Sequence, residues 1–141
     1  MILKEKINSR IEMEFLKKLD GFGFVIGRSI LGIYFAGFGS SKIFFFIETL
    51  SLMRMKGVPF SSILLPVTIL IQVLGGIFLI LGQNLRFNAF LLCGLTIIIN
   101  IYIHNFWALI GDPSQGHEFQ NFVKNLAICG GLLVLMSKDK S

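Results

Sequence analysis

Four apolar stretches, each long enough to cross a lipid bilayer, are set apart along this 141-residue chain by its few charged side chains. Between Asp20 and Lys42 only Arg28 is charged, and residues 57–85 carry no charge. Between Arg86 and Asp112 the ionisable groups are Cys93, Tyr102 and His104, all expected neutral. Between Glu118 and Lys138 the one charged residue is Lys124. A helix needs about 17–25 residues to cross the roughly 30 Å of hydrocarbon in a bilayer. The runs therefore predict spans near residues 22–41, 60–82, 87–109 and 119–137. Lipid offers no partner to a backbone N–H or C=O, so such runs must be helical. The expected fold class is all-α, an integral membrane four-helix bundle forming one domain over residues 1–141.

Composition excludes the soluble class. Apolar residues make up 54% of the chain and charged residues 15%, where a soluble domain carries about 25% charged. The mean hydropathy is +0.77. A soluble domain of this length has no interior large enough to hide that much apolar surface. The net charge of +5 is not a nucleic-acid footprint, because the basic residues flank apolar runs instead of interleaving with aromatics. The lipid bilayer is the expected partner. Cys93 and Cys129 lie in different runs and form no CxxC, so neither a disulfide framework nor a metal site is indicated. A charged first twenty residues, with the first apolar run beginning near Phe22, gives no sign of a cleavable signal peptide.

Two segments suit the membrane surface. In residues 1–20, Leu3, Ile7, Ile11, Phe15 and Leu19 recur every fourth residue with charges between them, the pattern of an interfacial helix. Five basic and four acidic residues nearly cancel there, which argues against a polybasic lipid tether. Residues 43–56 are too charged at their end to span and too apolar to leave the membrane, predicting an interfacial or re-entrant helix between spans one and two. Gly57-Val58-Pro59 then closes that segment. Pro66 is expected to kink the second span.

Orientation follows the excess of Lys and Arg on the cytoplasmic side. With the N-terminus inside, the inner segments hold Lys4, Lys6, Arg10, Lys17, Lys18, Arg86, Lys138 and Lys140, and the outer ones Lys42, Arg54 and Lys56. Eight against three places both termini in the cytoplasm.

Polar residues inside a span are costly and tend to face the bundle interior or a cavity. Cys93, Asn100 and His104 share a face of the third span with Thr96 and Trp107. Asn121, Asn125 and Cys129 recur every fourth residue on the fourth, flanked by Lys124, and Thr68, Gln72 and Gly76 do so on the second. Gly32, Ala36 and Ser40 give the first span a small-residue stripe for close packing. By depth, Lys124, Asn125, His104 and Asn100 fall in the outer half, Lys42 at the outer end, Gln72 near the midplane and Arg28 in the inner third. A polar pocket opening outward, lined by His104, Trp107, Lys124, Asn125 and Lys42, is the functional reading. Each residue also has a structural one. Lys42 and Lys124 suit snorkelling, the amides and His104 suit interhelical hydrogen bonds, and Trp107 suits an interfacial belt. Arg28 suits a phospholipid or the exposed carbonyls of a neighbouring helix end, and the cysteines suit small packing groups, although their similar depth also allows a pair.

These residues fall within a series that resembles the DoxX family of bacterial membrane proteins. The series comprises Gly27-Arg28, Phe35 to Lys42 (FAGFGSSK), Gly57-Val58-Pro59, Gly75-Gly76 and Leu81-Gly82. It continues with His104-Asn105-Phe106-Trp107, Phe122-Val123-Lys124-Asn125-Leu126 and Gly130-Gly131-Leu132-Leu133. The resemblance covers about Gly27 to Met136. It departs at Gln72, where members often carry a glutamate, and an amide does not titrate. The resemblance implies four helices in a bacterial inner membrane and an association with redox chemistry, including quinone-linked and thiol-stress assemblies.

Two classes of function follow. In the first, the chain is a membrane subunit of a redox assembly whose pocket holds a quinone. His104 or Lys124 would bond the quinone oxygen, and Trp107 would line the ring. The sequence has no cofactor-binding or catalytic motif, so a soluble or membrane oxidoreductase partner would supply the electrons. In the second, the protein is a non-enzymatic carrier, assembly factor or structural subunit. Four spans without an inverted repeat would need a homo-oligomer to make a complete carrier.

Overall fold

The computed structural model describes residues 1–138; Lys140, counted above among the inner basic residues, lies outside them. Its helices are α1 (Ile2–Phe44), α2 (Phe46–Met55), α3 (Ser61–Leu81), α4 (Leu85–Tyr102) and α5 (Gln115–Ser137), with one 3-10 turn over Phe106–Ala108. Four helical segments are long and apolar enough to cross a membrane: Ile2–Phe44, Ser61–Leu81, Leu85–Ala108 and Gln115–Ser137. Large apolar side chains point outward along them, with Ile33 and Phe90 each 62% and Val134 72% exposed. Water would not tolerate so continuous an apolar exterior; hydrocarbon is its solvent. The chain is an all-α, multi-pass membrane bundle.

Glycines in the left-handed conformation end two of the helices. At the end of α2, Gly57 has φ +77, and its N–H bonds Arg54 O while Val58 N–H reaches back to Met53 O. At the end of α3, Gly82 has φ +75 and Gln83 N–H bonds Phe78 O. α3 continues through Pro66 as one helix.

The bundle packs in sequence, α1 on α3, α3 on α4 and α4 on α5, with a slighter α1–α5 contact. Gly32 and Gly76 lie at the α1–α3 crossing, and Gly39 sits against Gln72 and Val73 one step further along. Leu79, Leu92 and Leu132 meet Phe35 in the core, beside Ala89, Cys93 and Cys129. One end of the bundle carries the two longer connections, residues 45–60 and 103–114; the other carries the tight Gly82–Asn84 turn and the end of α5. We call these the long-loop end and the short-turn end.

Two boundaries differ from the sequence expectation. Residues 1–20 are helical, but nothing separates them from the first span: α1 is a single rod of 43 residues. It would measure about 65 Å at 1.5 Å per residue. Gly21 and Gly23 alone do not break a helix, and the segment holds no proline. The expected interfacial stripe, Leu3 to Leu19, is exposed along the outer part of this rod. Within the expected segment 43–56, Phe46–Met55 form a separate short helix, divided from α1 at Phe45, whose ψ of 41 leaves the helical region. The third span reaches Ala108 much as expected, but its α-helical part ends sooner. α4 stops at Tyr102, so His104 and Trp107 lie beyond it in the following turn and not on its inner face.

Candidate functional site

The buried polar side chains resolve into pairs. Asn125 Nδ2 donates to Asn100 Oδ1 at 2.9 Å, and Asn100 Nδ2 donates to Phe122 O at 3.0 Å, stitching α4 to α5. Lys42 Nζ donates to Gln72 Oε1 at 2.9 Å and to Phe38 O at 3.3 Å, linking α1 and α3. Thr96 Oγ1 bonds Leu92 O within α4. Cys129 Sγ lies 3.9 Å from Cys93 O, with both thiols free and buried. Among the described residues, every buried side-chain nitrogen and oxygen has a hydrogen-bond partner. An unpaired polar group in hydrocarbon costs several kcal/mol, which is the force that draws these groups together.

The structure therefore distributes the eight candidate residues over separate places. Asn100 and Asn125 meet, and so do Lys42 and Gln72, but the two pairs belong to different helix interfaces. Lys124 is exposed on the outside of α5. It follows Val123 and precedes Asn125, and one residue turns a helix by about 100°, so Lys124 and Asn125 cannot share the interior. Trp107 is 47% exposed. Arg28 is at the short-turn end, where Nη1 donates to Leu79 O at 2.7 Å and to Ile80 O. It covers the last carbonyls of α3, one of the two structural readings open to it. No single pocket shared by His104, Trp107, Lys124, Asn125 and Lys42 is formed by these placements.

His104 acquires a partner that sequence reasoning missed. Its Nδ1 is 2.5 Å from Glu118 Oε2, across the loop between α4 and α5, and both side chains are about one-fifth exposed at 19% and 20%. Gln115 Nε2 donates to Phe106 O at 3.3 Å, and Lys56 Nζ donates to Asn105 Oδ1 at 3.2 Å. These contacts fasten loop 103–114 to α5 and to the α2–α3 connection. Beside His104, Phe106 packs edge-on against Trp107, Phe119 and Phe122 with centroids 5.3, 5.0 and 5.3 Å apart. Trp107 and Phe122 are 5.8 Å apart. Phe119 and Phe122 sit one turn apart on α5, but only the fold of the loop brings Phe106 and Trp107 onto them. In the loop itself, Asp112 accepts from the Ser114 hydroxyl and N–H. Those bonds, with the Lys56 charge nearby, hold its carboxyl below the usual range.

The glycine crossing of α1 with α3, the Lys42–Gln72 contact and His104 all fall inside one recognised pattern. The DoxX family model matches residues 23–105. The chain belongs to the DoxX family. The inner membrane protein YqjF of Escherichia coli K12 is 32% identical to this DoxX chain over 120 residues, covering 85% of this chain and 86% of that protein. No solved structure matches it. The family match ends at Asn105, so within this DoxX chain the Phe106–Trp107 turn and Glu118 stand outside the matched region.

Proposed function

We propose that this DoxX protein is a membrane subunit of a redox-linked assembly that receives a quinone ring at the long-loop end, against Trp107 and Phe106, with its oxygen at His104. The observation that supports the reading is the His104–Glu118 pair. A carboxylate on Nδ1 fixes the orientation of the ring and leaves Nε2 facing away from it. Nε2, which has no hydrogen-bond partner among the described residues, is then the acceptor available to the hydroxyl of the reduced quinone. The exposed face of Trp107 offers an edge of aromatic surface at the boundary between lipid and water, where a ring carried on an apolar tail would arrive. Electrons would pass between the quinone and a soluble or membrane oxidoreductase partner; this chain would bind and orient the ring.

The inner membrane named for the E. coli relative is on this reading the location here as well, with both termini cytoplasmic. The cations Arg28, Arg86 and Lys138, which fall at one end of the bundle, agree with that orientation. Cysteine-accessibility labelling at residues 5 and 113 tests it; labelling of position 113 from the cytoplasm reverses it.

Mass spectrometry of lipids carried by the purified protein tests the site. Quinone should accompany the wild type, fall several-fold in His104→Ala and in Trp107→Ala, and be unchanged in Lys124→Ala. No quinone in the wild type, or full retention by His104→Ala, would overturn the proposal. That outcome would favour the second reading, a non-enzymatic scaffold or carrier. The complete pairing of buried polar atoms among the described residues supports that reading, because a bundle whose interior polarity is spent on itself needs no ligand to be stable.

A further inference from the structure

Two adjoining hollows at the short-turn end share Arg86 and differ in character. The larger, about 670 Å³, is an apolar cleft between α4 and α5, lined by Phe87, Phe90, Leu133 and Met136, with Arg86 and Ser137 at its rim. The smaller, about 370 Å³, lies between the α3–α4 turn and the end of α5 and brings Lys138 and Asn84 to Arg86. We propose that together they bind one anionic phospholipid, its phosphate held by Arg86 and Lys138 and an acyl chain laid in the cleft.

The cations are held in place before any ligand arrives. Arg86 Nε donates to Met136 O at 2.9 Å, which fixes the guanidinium at the rim and leaves its two Nη groups for an anion. Lys138 Nζ sits 3.4 Å from the centre of the Phe24 ring, a cation–π contact that restrains a side chain otherwise free to wander. The Arg28 guanidinium stands behind Gly82, 3.0 Å from where a Cβ would be, and adds a third positive charge. Among the described residues, none that lines either hollow is acidic; Asp20 lies one helical turn beyond Phe24 along α1. Basic pockets between membrane helices select anionic headgroups on just these terms.

The vertical order matches a lipid as well. Arg86 is in the first turn of α4 and Lys138 directly follows α5, so the charges stand where the spans end. Phe90 and Leu133 lie about one turn deeper, where acyl chains begin. A soluble phosphate would use the cations and leave the cleft idle; a neutral lipid would use the cleft and leave the cations idle. The site is at the opposite end of the bundle from His104 and does not depend on quinone binding there.

Full-length protein stripped in detergent and offered cardiolipin, phosphatidylglycerol or phosphatidylethanolamine tests the proposal by native mass spectrometry. The wild type should retain the two anionic lipids over phosphatidylethanolamine. Arg86→Ala with Lys138→Ala should lower that retention roughly tenfold or more. Leu133→Trp keeps both cations, fills the cleft and should lower retention also, which guards against a misfolded double variant. Arg54→Ala, at the other end, should bind as the wild type does. Equal retention of phosphatidylethanolamine, unchanged binding in both cleft variants, or displacement of the lipid by millimolar inorganic phosphate would overturn the assignment.

Discussion

Gly32 and Gly76 meet backbone to backbone where α1 crosses α3: a Cβ added to either would lie 2.5 Å from the other's carbonyl oxygen. For Gly76 the Ala36 nitrogen would be 2.6 Å away as well. These obstacles are main-chain atoms, so no side-chain rotation can relieve the clash and the helices must separate. Gly32→Ala should cost about 1–3 kcal/mol, read as an earlier midpoint in detergent unfolding. Gly37→Ala is the control, because nothing lies within 4 Å of its added Cβ. It should be neutral or stabilising by up to about 1 kcal/mol, since alanine favours helix over glycine.

The amide pair between α4 and α5 should behave as a structural contact. Asn125→Ala leaves Asn100 Oδ1 without its donor. Interhelical hydrogen bonds in membrane bundles average about 0.6 kcal/mol and reach about 1.7. A double-mutant cycle of Asn100→Ala and Asn125→Ala should give a coupling inside that range. Quinone retention should not change in either variant; a parallel loss would mean that the pair contacts ligand.

Arg28 caps the C-terminal carbonyls of α3 through one nitrogen that reaches both Leu79 and Ile80. Arg28→Gln removes the charge and should cost roughly 1.5–3 kcal/mol, as hydrogen bonds from charged donors do. Its effect should be local, with faster amide exchange at Gly82 and Gln83, where the helix turns back. Arg28→Lys should recover part of the loss. Unchanged exchange in Arg28→Gln would show that the cap is dispensable.

The spans were legible because charges bracket them, and the buried faces Cys93–Thr96–Asn100 and Asn125–Cys129 were legible because helical spacing repeats. Gly57 marked the end of its helix because Gly-Val-Pro cannot continue one. What depth alone could not supply was direction around the helix axis. Lys124 and Asn125 lie at nearly one depth, yet one faces out and the other is buried. The His104–Glu118 pair was hidden differently: the partners are fourteen residues apart across a loop whose path no periodicity specifies. The unbroken α1 escaped notice because an amphipathic stripe looks the same on a helix that lies flat and on one that continues a span.

The loop that carries His104 should loosen in acid by one identifiable step. Asp112 is held below the ordinary carboxylate value of 3.8, first by the Ser114 hydroxyl, then by the Ser114 N–H and by Lys56. A carboxyl depressed in the folded state adds stability above its unfolded pKa and loses it as pH falls through the lower, folded value. The Asp112–Ser114 contacts should therefore persist to below pH 3.8 and weaken as the carboxyl is protonated beneath that. In Ser114→Ala the midpoint, followed by carboxyl NMR, should move up toward 3.8; a midpoint that stays put would assign the shift elsewhere.

Lys42 and Gln72 offer the sharpest test of what holds α1 to α3. In this chain a cation donates to a neutral amide across the α1–α3 interface, and its remaining bond goes to Phe38 O of its own helix. Gln72→Glu puts a carboxylate about 2.9 Å from the ammonium, turning the contact into a charge-assisted pair. Gln72→Leu leaves the ammonium with the Phe38 carbonyl alone in a partly buried site. That should destabilise the bundle by about 1–3 kcal/mol, the cost of an unsatisfied buried group. Burying a second charge carries its own desolvation cost, which offsets the added attraction, so Gln72→Glu should lie close to the wild type. Detergent unfolding of the three proteins decides it. If Gln72→Leu were as stable as the wild type, Lys42 would be reaching the membrane surface on its own, and the pair would carry no weight in holding α1 to α3.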